Sequence, residues 1–265
     1  MPINKKIGKV FLAGAGPGDA DLITVKLQKK LAEADVIITD RLVNPAIATS
    51  NAKKDALVLL AGKQGYNSES YAQEEINRLI IEHALAGKTV VRLKGGDVAF
   101  FSNVLDELIT LKENNVPFEI IPGVTAASGA SAYAAIPLTA RGYAQGVQFI
   151  AFNPNNDLSA EQWKTFATTT DTLVFYMAAK NINALAETIL SYSKKPSTGL
   201  AVIEQATTIY QKIHITTLQN CIADFADLSF SSPSLVIVGD VVKLHEQFNW
   251  YNANEGGTVF QKLNT

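Results

Sequence analysis

Short apolar runs alternate with amphipathic stretches through the first half of the chain. The runs are rich in β-branched residues and predict strands, and apolar spacings of three and four residues between them predict helices. The predicted strands of this half are 10–13, 36–39, 57–61, 89–93 and 118–121, and the predicted helices are 24–34, one starting at a capping box of Ser70 and Gln73, and 103–113. Such alternation predicts a mostly parallel sheet with helices packed on its faces.

The second half continues with a similar pattern after Pro122 and Gly123, a pair that breaks regular structure. The predicted strands here are 147–152, 172–176, 200–203 and 235–238, and the predicted helices are 160–166, 182–190 and 218–225. We therefore predict an α/β fold of two α/β domains with mostly parallel or mixed sheets, 7–121 and 122–248. The polar, glycine-containing segment 249–265 is predicted to be a frayed tail.

Composition narrows the class of protein. The chain has 265 residues, of which 47% are hydrophobic and 18% charged, and its net charge is −2, so it is expected to be globular and without a nucleic-acid or membrane surface. Its single cysteine, Cys221, is expected to be a buried thiol in a reducing compartment, which predicts a cytoplasmic protein. The three histidines lie far apart without ligand spacing, so no metal site is expected.

Two glycine-rich loops follow predicted strands. Gly14-Ala15-Gly16-Pro17-Gly18-Asp19 fits either a loop for a nucleotide-type ligand or a plain tight turn. It departs from the dinucleotide fingerprint, because Asp19 holds the third glycine position and Pro17 lacks an amide donor. Gly95-Gly96-Asp97 follows the strand at 89–93. Because the carboxyl ends of parallel strands share one edge, we expect both loops at the edge where open α/β sheets bind ligands.

Charged side chains follow two other strands of this half. Asp40 and Arg41 come directly after 36–39, and Lys63 follows the next strand. A carboxylate and an ammonium at neighbouring strand ends suit proton transfer or the binding of an anionic ligand. A surface ion pair or a helix cap is the other interpretation of Asp40 and Arg41, and such pairs and caps are commoner in general.

Two further features have more than one interpretation. The small residues of 125–135 predict either a helix packed closely on a neighbour or a face that lets a ligand approach the backbone. Met177 follows the strand at 172–176, where a methionine is more often part of the core than a cofactor contact.

These motifs together resemble the uroporphyrinogen III C-methyltransferase family, within the tetrapyrrole methylases. The resemblance extends from about Lys9 to Leu244 and keeps the order of the family's motifs. The matching stretches are Gly14–Asp19, 40–43, 73–77, 91–97, 122–127, 136–139, 141–145, 174–177 and 236–239.

The resemblance implies a homodimer with the active site in the cleft between the two domains, and S-adenosylmethionine as the cofactor, with S-adenosylhomocysteine as its product. It implies uroporphyrinogen III as the substrate and precorrin-2 as the product, on the route to sirohaem or cobalamin. By position, Asp40 would accept a proton and Lys63 would donate one. The cofactor would contact Pro17, Gly95, Gly96, Asp97, Phe100, Thr125, Ala126, Met177 and Ala206.

The chain departs from the family pattern in the substrate half. Val98 replaces a proline, 102–107 replaces a Gly-Arg-Gly-Gly-Glu-Glu run, and 151–154 replaces a Thr-Gly-His-like segment. Asn103 therefore stands where a substrate-facing arginine is expected, and Arg41, Lys63 and Arg141 are the basic residues that could compensate. A relative acting on another substrate, or a cofactor-binding protein with weak or lost turnover, remains an alternative.

Overall fold

The structure, a computed structural model, describes residues 6–61, 69–153, 158–254 and 256–260. The chain forms two compact units, one within Met1–Ala126 and Thr258–Thr265 and the other within Ala127–Gly257. The division falls shortly after Pro122, where the sequence suggests the boundary. Within the described residues, no helix is long and apolar enough to cross a membrane.

The first unit contains a five-stranded, fully parallel sheet in the order β3-β2-β4-β1-β5. Its strands are β1 (Val10–Gly14), β2 (Val36–Thr39), β3 (Leu57–Leu60), β4 (Val90–Lys94) and β5 (Phe118–Ile121). Its helices are α1 (Val25–Glu33), α2 (Pro45–Asn51), α3 (Glu69–Leu85) and α4 (Val104–Glu113). The predicted cap at Ser70 is wrong, because α3 already includes Glu69.

Helices cover both faces of this sheet, because alternate residues of each strand point to opposite sides. On one face, Phe11 and Val91 pack with α1 and α2. On the other, Val10 and Val90 pack with α3 and α4. A sheet buried on both faces requires nearly continuous apolar strands, as the sequence pattern indicates.

The second unit contains a mixed sheet in the order β6-β7-β10-β8-β9, in which only β6 and β7 pair in parallel. Its strands are β6 (Val147–Ala151), β7 (Thr172–Tyr176), β8 (Gly199–Glu204), β9 (Lys212–Thr217) and β10 (Ser234–Val238). Its helices are α5 (Ala126–Tyr133), α6 (Ala160–Thr168), α7 (Ile182–Ser191), α8 (Cys221–Asp224) and α9 (Leu244–Phe248). The α/β class and the two sheets are as predicted.

Cys221 is a buried structural thiol, as expected. Its side chain belongs to the apolar core of the second unit. Burial raises the pKa of the thiol to about 11, so the reactive thiolate is disfavoured.

The segment after α9 is anchored at its start, so the prediction of a frayed tail is corrected there. The indole of Trp250 donates to the carbonyl of Ala132, and the hydroxyl of Tyr251 donates to the carbonyl of Thr208 over 3.0 Å. The ring of Tyr251 packs against Tyr133, with centroids 4.7 Å apart. Composition alone suggested a polar tail, but its aromatic residues supply the apolar contacts that order it.

We expect Tyr251→Ala to destabilise the protein by about 2 kcal/mol, because it removes a ring contact and a hydrogen bond. Phe248→Ala is the matched control, since that side chain is 54% exposed. Denaturant unfolding of both variants checks the prediction. If the Tyr251 variant and the unchanged protein have the same free energy of unfolding, the contacts of Tyr251 after α9 do not stabilise the fold.

Candidate active site

The two glycine loops of the first unit are hydrogen-bonded to each other. They follow the neighbouring strands β1 and β4, and the Gly16 amide donates to the Gly96 carbonyl over 3.0 Å. The Gly96 amide donates back to the Gly16 carbonyl over 2.8 Å. The expectation that these loops share one edge of the sheet is confirmed.

A third loop, at Gly123 after β5, packs against the other two loops at Gly14 and Gly96. A side chain at Gly123 would place its Cβ 2.4 Å from the Gly96 carbonyl oxygen, and one at Gly14 would place it 2.6 Å away. Such distances exclude any side chain at either position without movement of the backbone. Glycine is therefore required here for contact between loops.

Asp97 connects the loop after β4 with the loop after β5 by hydrogen bonds. One carboxylate oxygen accepts the amide of Ala99 over 2.7 Å, and the other accepts the amide of Gly123 over 2.7 Å. The residue is buried, so its direct role is to hold the loop after β4 against the loop after β5. A contact with a cofactor would be additional to this role.

Other predicted cofactor residues of the first unit lie at the same loops. Pro17 is buried between Gly16 and Gly18, and both of these glycines have positive φ. Gly96 has φ +67°, and a Cβ there would lie 3.4 Å from the Ala126 amide nitrogen. The backbone of the β4 loop thus lies beside the amide of Ala126, within the same unit. Thr125 precedes that helix, and Phe100 is partly exposed beyond the β4 loop.

Asp40, the predicted proton acceptor, follows β2 at this same edge. The guanidinium of Arg92, on the neighbouring strand β4, donates to its Oδ1 over 2.6 Å. The side chain of Asp40 remains 31% exposed, whereas that of Arg92 is 1% exposed. Among the described residues, Oδ2 of Asp40 receives no hydrogen bond. The surface-pair interpretation of Asp40 is therefore wrong, because its partner is a buried arginine.

A buried acid completes this arrangement. Glu107 of α4 accepts from Arg92 over 2.9 Å and from Lys94 over 3.0 Å, both at Oε1. Sequence reasoning did not select Arg92, Lys94 or Glu107. The signal was available in β4, whose two basic residues occupy alternate positions of an otherwise apolar, buried strand.

The predicted substrate residues lie in exposed or half-buried positions. Arg41 is half-buried beside Asp40, and Arg141 is exposed in a turn of the second unit. Asn103 is exposed at the N-cap of α4 with φ 56° and ψ 33°. Lys63, the predicted proton donor, lies outside the described residues.

In the second unit, Met177 and Ala206 follow β7 and β8, whose carboxyl ends lie at one edge of the mixed sheet. Met177 is 63% exposed, so the interpretation of it as a core residue is wrong. Met177, Gln205 and Thr207 all have positive φ, which is rare for residues with side chains. Strained backbone of this kind clusters at ligand sites, which makes this edge a candidate binding surface.

Comparison with known proteins decides the family. Residues 9–221 match the family of Tetrapyrrole (Corrin/Porphyrin) Methylases. The chain belongs to the tetrapyrrole methylase family. The fold described above is the fold of its solved members.

Two relatives of this tetrapyrrole methylase are named siroheme synthases. The Siroheme synthase of Saccharophagus degradans is 39% identical over 93% of this chain and 54% of its own length. Siroheme synthase 2 of Aeromonas hydrophila is 40% identical over 97% of this chain and 54% of its own length. The chain spans about half the length of these curated relatives.

Two solved structures have the same fold. A uroporphyrin-III C-methyl transferase from Thermus thermophilus, complexed with S-adenosylhomocysteine, is 32% identical, with a TM-score of 0.75. The match covers 89% of this tetrapyrrole methylase and 100% of that chain. A cobalt precorrin-4 methyltransferase is 26% identical, with a TM-score of 0.79, and covers 88% of this chain and 95% of its own.

Proposed function

We propose that this tetrapyrrole methylase transfers a methyl group from S-adenosylmethionine to ring carbons of uroporphyrinogen III and so makes precorrin-2. The proposal is supported by the match, over 89% of this chain, to a uroporphyrin-III C-methyl transferase at 32% identity. The siroheme synthase names of two relatives support a step on a route to sirohaem, and a cobalamin route would use the same product.

The observation that carries the proposal is the set of groups found at the carboxyl edge of the parallel sheet. Three glycine loops are packed together there, and beside them Asp40 presents a partly exposed carboxylate at the end of β2. Gly14 and Gly123 serve the contact between the loops. A Cβ at Gly95 or Gly96, by contrast, would lie 3.2 or 3.4 Å from its nearest neighbour. Backbone of this kind, without side chains, suits the close approach of a ligand such as S-adenosylmethionine, so the residues present fit this group. The residues proposed to contact it are Pro17, Gly95, Gly96, Asp97, Phe100, Thr125, Ala126, Met177 and Ala206.

In the proposed reaction the cofactor supplies the methyl group, and residues of the chain transfer protons and bind the substrate. When bound, S-adenosylmethionine supplies an electrophilic methyl group, which an electron-rich pyrrole carbon of the substrate attacks. A proton must then leave the macrocycle, and Oδ2 of Asp40, to which no described residue donates, would accept it. Lys63 is proposed as a proton donor, and each proton that it supplies to the macrocycle is balanced by one further proton that the macrocycle loses. Arg41, Asn103 and Arg141 would face the substrate's carboxylates. Orientation of the two reactants accounts for much of the expected rate enhancement.

The proposal also includes a homodimer, since two-fold dimers are the commonest soluble oligomers. Light scattering at micromolar protein concentration measures this property separately from activity.

Transfer of a labelled methyl group from S-adenosylmethionine to uroporphyrinogen III tests the proposed activity. We expect labelled precorrin-2, together with measurable S-adenosylhomocysteine binding by calorimetry. Binding without methyl transfer to any tetrapyrrole would leave a cofactor-binding protein and contradict the proposed activity. Transfer to a different tetrapyrrole only would retain the methyltransferase and reject its substrate.

A further inference from the structure

One group of charged side chains connects three elements of the first unit. Arg92 of β4 donates to Asp40, which follows β2, and to Glu107 of α4. Its third hydrogen bond goes to the carbonyl of Leu93 over 2.8 Å. All three polar nitrogens of the guanidinium are therefore engaged. A planar group held at every nitrogen has one orientation, and it transmits that orientation to the carboxylate it binds.

The charges of this group balance. Burial by itself would lower the pKa of Arg92, but the carboxylates of Asp40 and Glu107 outweigh it and raise the pKa. Lys94, which also binds Glu107, supplies the second positive charge against two negative ones. A neutral set is the condition under which four ionised groups are tolerated at this depth.

The two carboxylates have different surroundings. Glu107 is 1% exposed, and its Oε2 has no hydrogen-bond partner among the described residues. It is too deeply placed to meet a substrate. Asp40 uses Oδ1 for Arg92, and its Oδ2 receives no hydrogen bond from the part of the chain that the structure describes; the side chain is partly exposed. Of the two acids, Asp40 therefore has an oxygen that a partner from outside the ion pair could reach.

We propose that Arg92 and Glu107 are positioning residues for Asp40. Glu107 orients the guanidinium of Arg92, which fixes Asp40 with Oδ1 held inward and Oδ2 directed away from the ion pair to accept a proton. Neither residue touches the substrate. This inference rests on the proposed function, because the effect on turnover passes through Asp40.

A cycle of kinetic variants tests the proposal. Arg92→Gln is expected to lower kcat about tenfold, the factor that corresponds to one charge-assisted hydrogen bond, and to leave the affinity for S-adenosylhomocysteine unchanged. In the Asp40→Asn background the same substitution is expected to have no further effect on kcat. Effects of the two substitutions that multiply would overturn the proposal, because Arg92 would then act independently of Asp40.

Asp35→Asn is the matched control. Asp35 precedes β2, accepts the Thr89 amide over 2.8 Å and binds Lys53, so it joins the same two strands at their opposite ends. The Asp35→Asn substitution should lower the free energy of unfolding and leave kcat unchanged. A fall in kcat for this control equal to that for Arg92→Gln would show that any loosening of the two strands suffices, and would overturn the proposal.

Glu107→Gln provides a second variant if Arg92→Gln does not fold, because glutamine keeps the volume and one acceptor oxygen. Carbon-13 NMR of labelled aspartate carboxyls gives a readout without activity, with the Asp40 signal assigned from its absence in Asp40→Asn. We expect this signal to move in Glu107→Gln and to stay in place in Asp35→Asn. An unmoved signal would overturn the positioning role, whereas absence of methyl transfer by the unchanged protein would reject the proposed function alone.

Discussion

Asp40→Asn is expected to lower kcat for methyl transfer by about 10²- to 10⁴-fold, the usual contribution of a general base. The amide keeps the shape of the carboxylate but removes its charge and its capacity to accept a proton. Cofactor affinity should be nearly unchanged, because the contacts that hold the glycine loops are made by Asp97 and by backbone groups. Single-turnover kinetics with uroporphyrinogen III and calorimetry with S-adenosylhomocysteine measure the two quantities separately.

The structure adds a cost in stability to this prediction. Asp40 compensates part of the buried charge of Arg92, so its neutralisation leaves two cations facing Glu107. We expect a loss of about 1–2 kcal/mol in the free energy of unfolding, reduced by the partial exposure of Asp40. Kinetics should therefore be measured well below the midpoint of thermal unfolding. A fall in kcat of less than about threefold in a folded variant would reassign Asp40 to structure.

The sequence predicted where the glycine loops lie, but it did not predict why glycine is required in them. A strand followed by glycines was enough to place both loops at the carboxyl edge. The ligand interpretation, however, treated the glycines of these two loops as openings for a small molecule, and Gly123 was assigned no role beyond a break in regular structure. At Gly14 and Gly123 the neighbour is another loop of the chain, and its approach depends on strand order, which local pattern does not contain.

The buried charges were missed for a related reason. Every residue of β4 is buried, but its two basic residues occupy alternate positions, a pattern that in a strand usually indicates a face turned to solvent. Arg92 and Lys94 then resemble ordinary surface residues. Their partner Glu107 lies on a helix beyond the next loop, and only the packing of α4 on the sheet brings them together.

Short elements were the other omission. The strand β9 lies at the edge of its sheet and mixes lysine, histidine and threonine with isoleucine, a composition that gives little apolar signal. The helix α2 has only two turns, although Asn44 caps it and Pro45 occupies its first turn, both ordinary start signals. Tertiary contacts stabilise such elements more than their own propensities do.

Asn103→Arg is expected to lower the Michaelis constant for uroporphyrinogen III by roughly tenfold to a hundredfold. The substitution restores a basic residue where the family resemblance indicates a substrate-facing arginine. One charge-assisted hydrogen bond to a substrate carboxylate contributes about 1.5–3 kcal/mol, which corresponds to that range of affinity. The affinity for S-adenosylhomocysteine should barely change, and initial rates at saturating cofactor give the Michaelis constant.

The local structure opposes the main alternative to this prediction. If Val104 and Leu105 were both packed in the core, an arginine at position 103 would point away from any ligand. Leu105 is instead 64% exposed, and Val104 is only partly buried. Asn103 is itself exposed, so the longer side chain needs no new space in the core.

The backbone at Asn103 imposes a cost that the experiment must separate from substrate binding. Its left-handed conformation suits asparagine better than arginine, and the exchange should cost about 1 kcal/mol of stability. Asn103→Met carries the same backbone cost on a long side chain without charge, so it should lower the unfolding temperature equally and leave the Michaelis constant unchanged. If the arginine variant is as stable as the methionine variant and has the Michaelis constant of the unchanged protein, the loss of arginine does not limit substrate binding. A decrease in the Michaelis constant seen in the arginine variant alone would show that the added charge strengthens substrate binding.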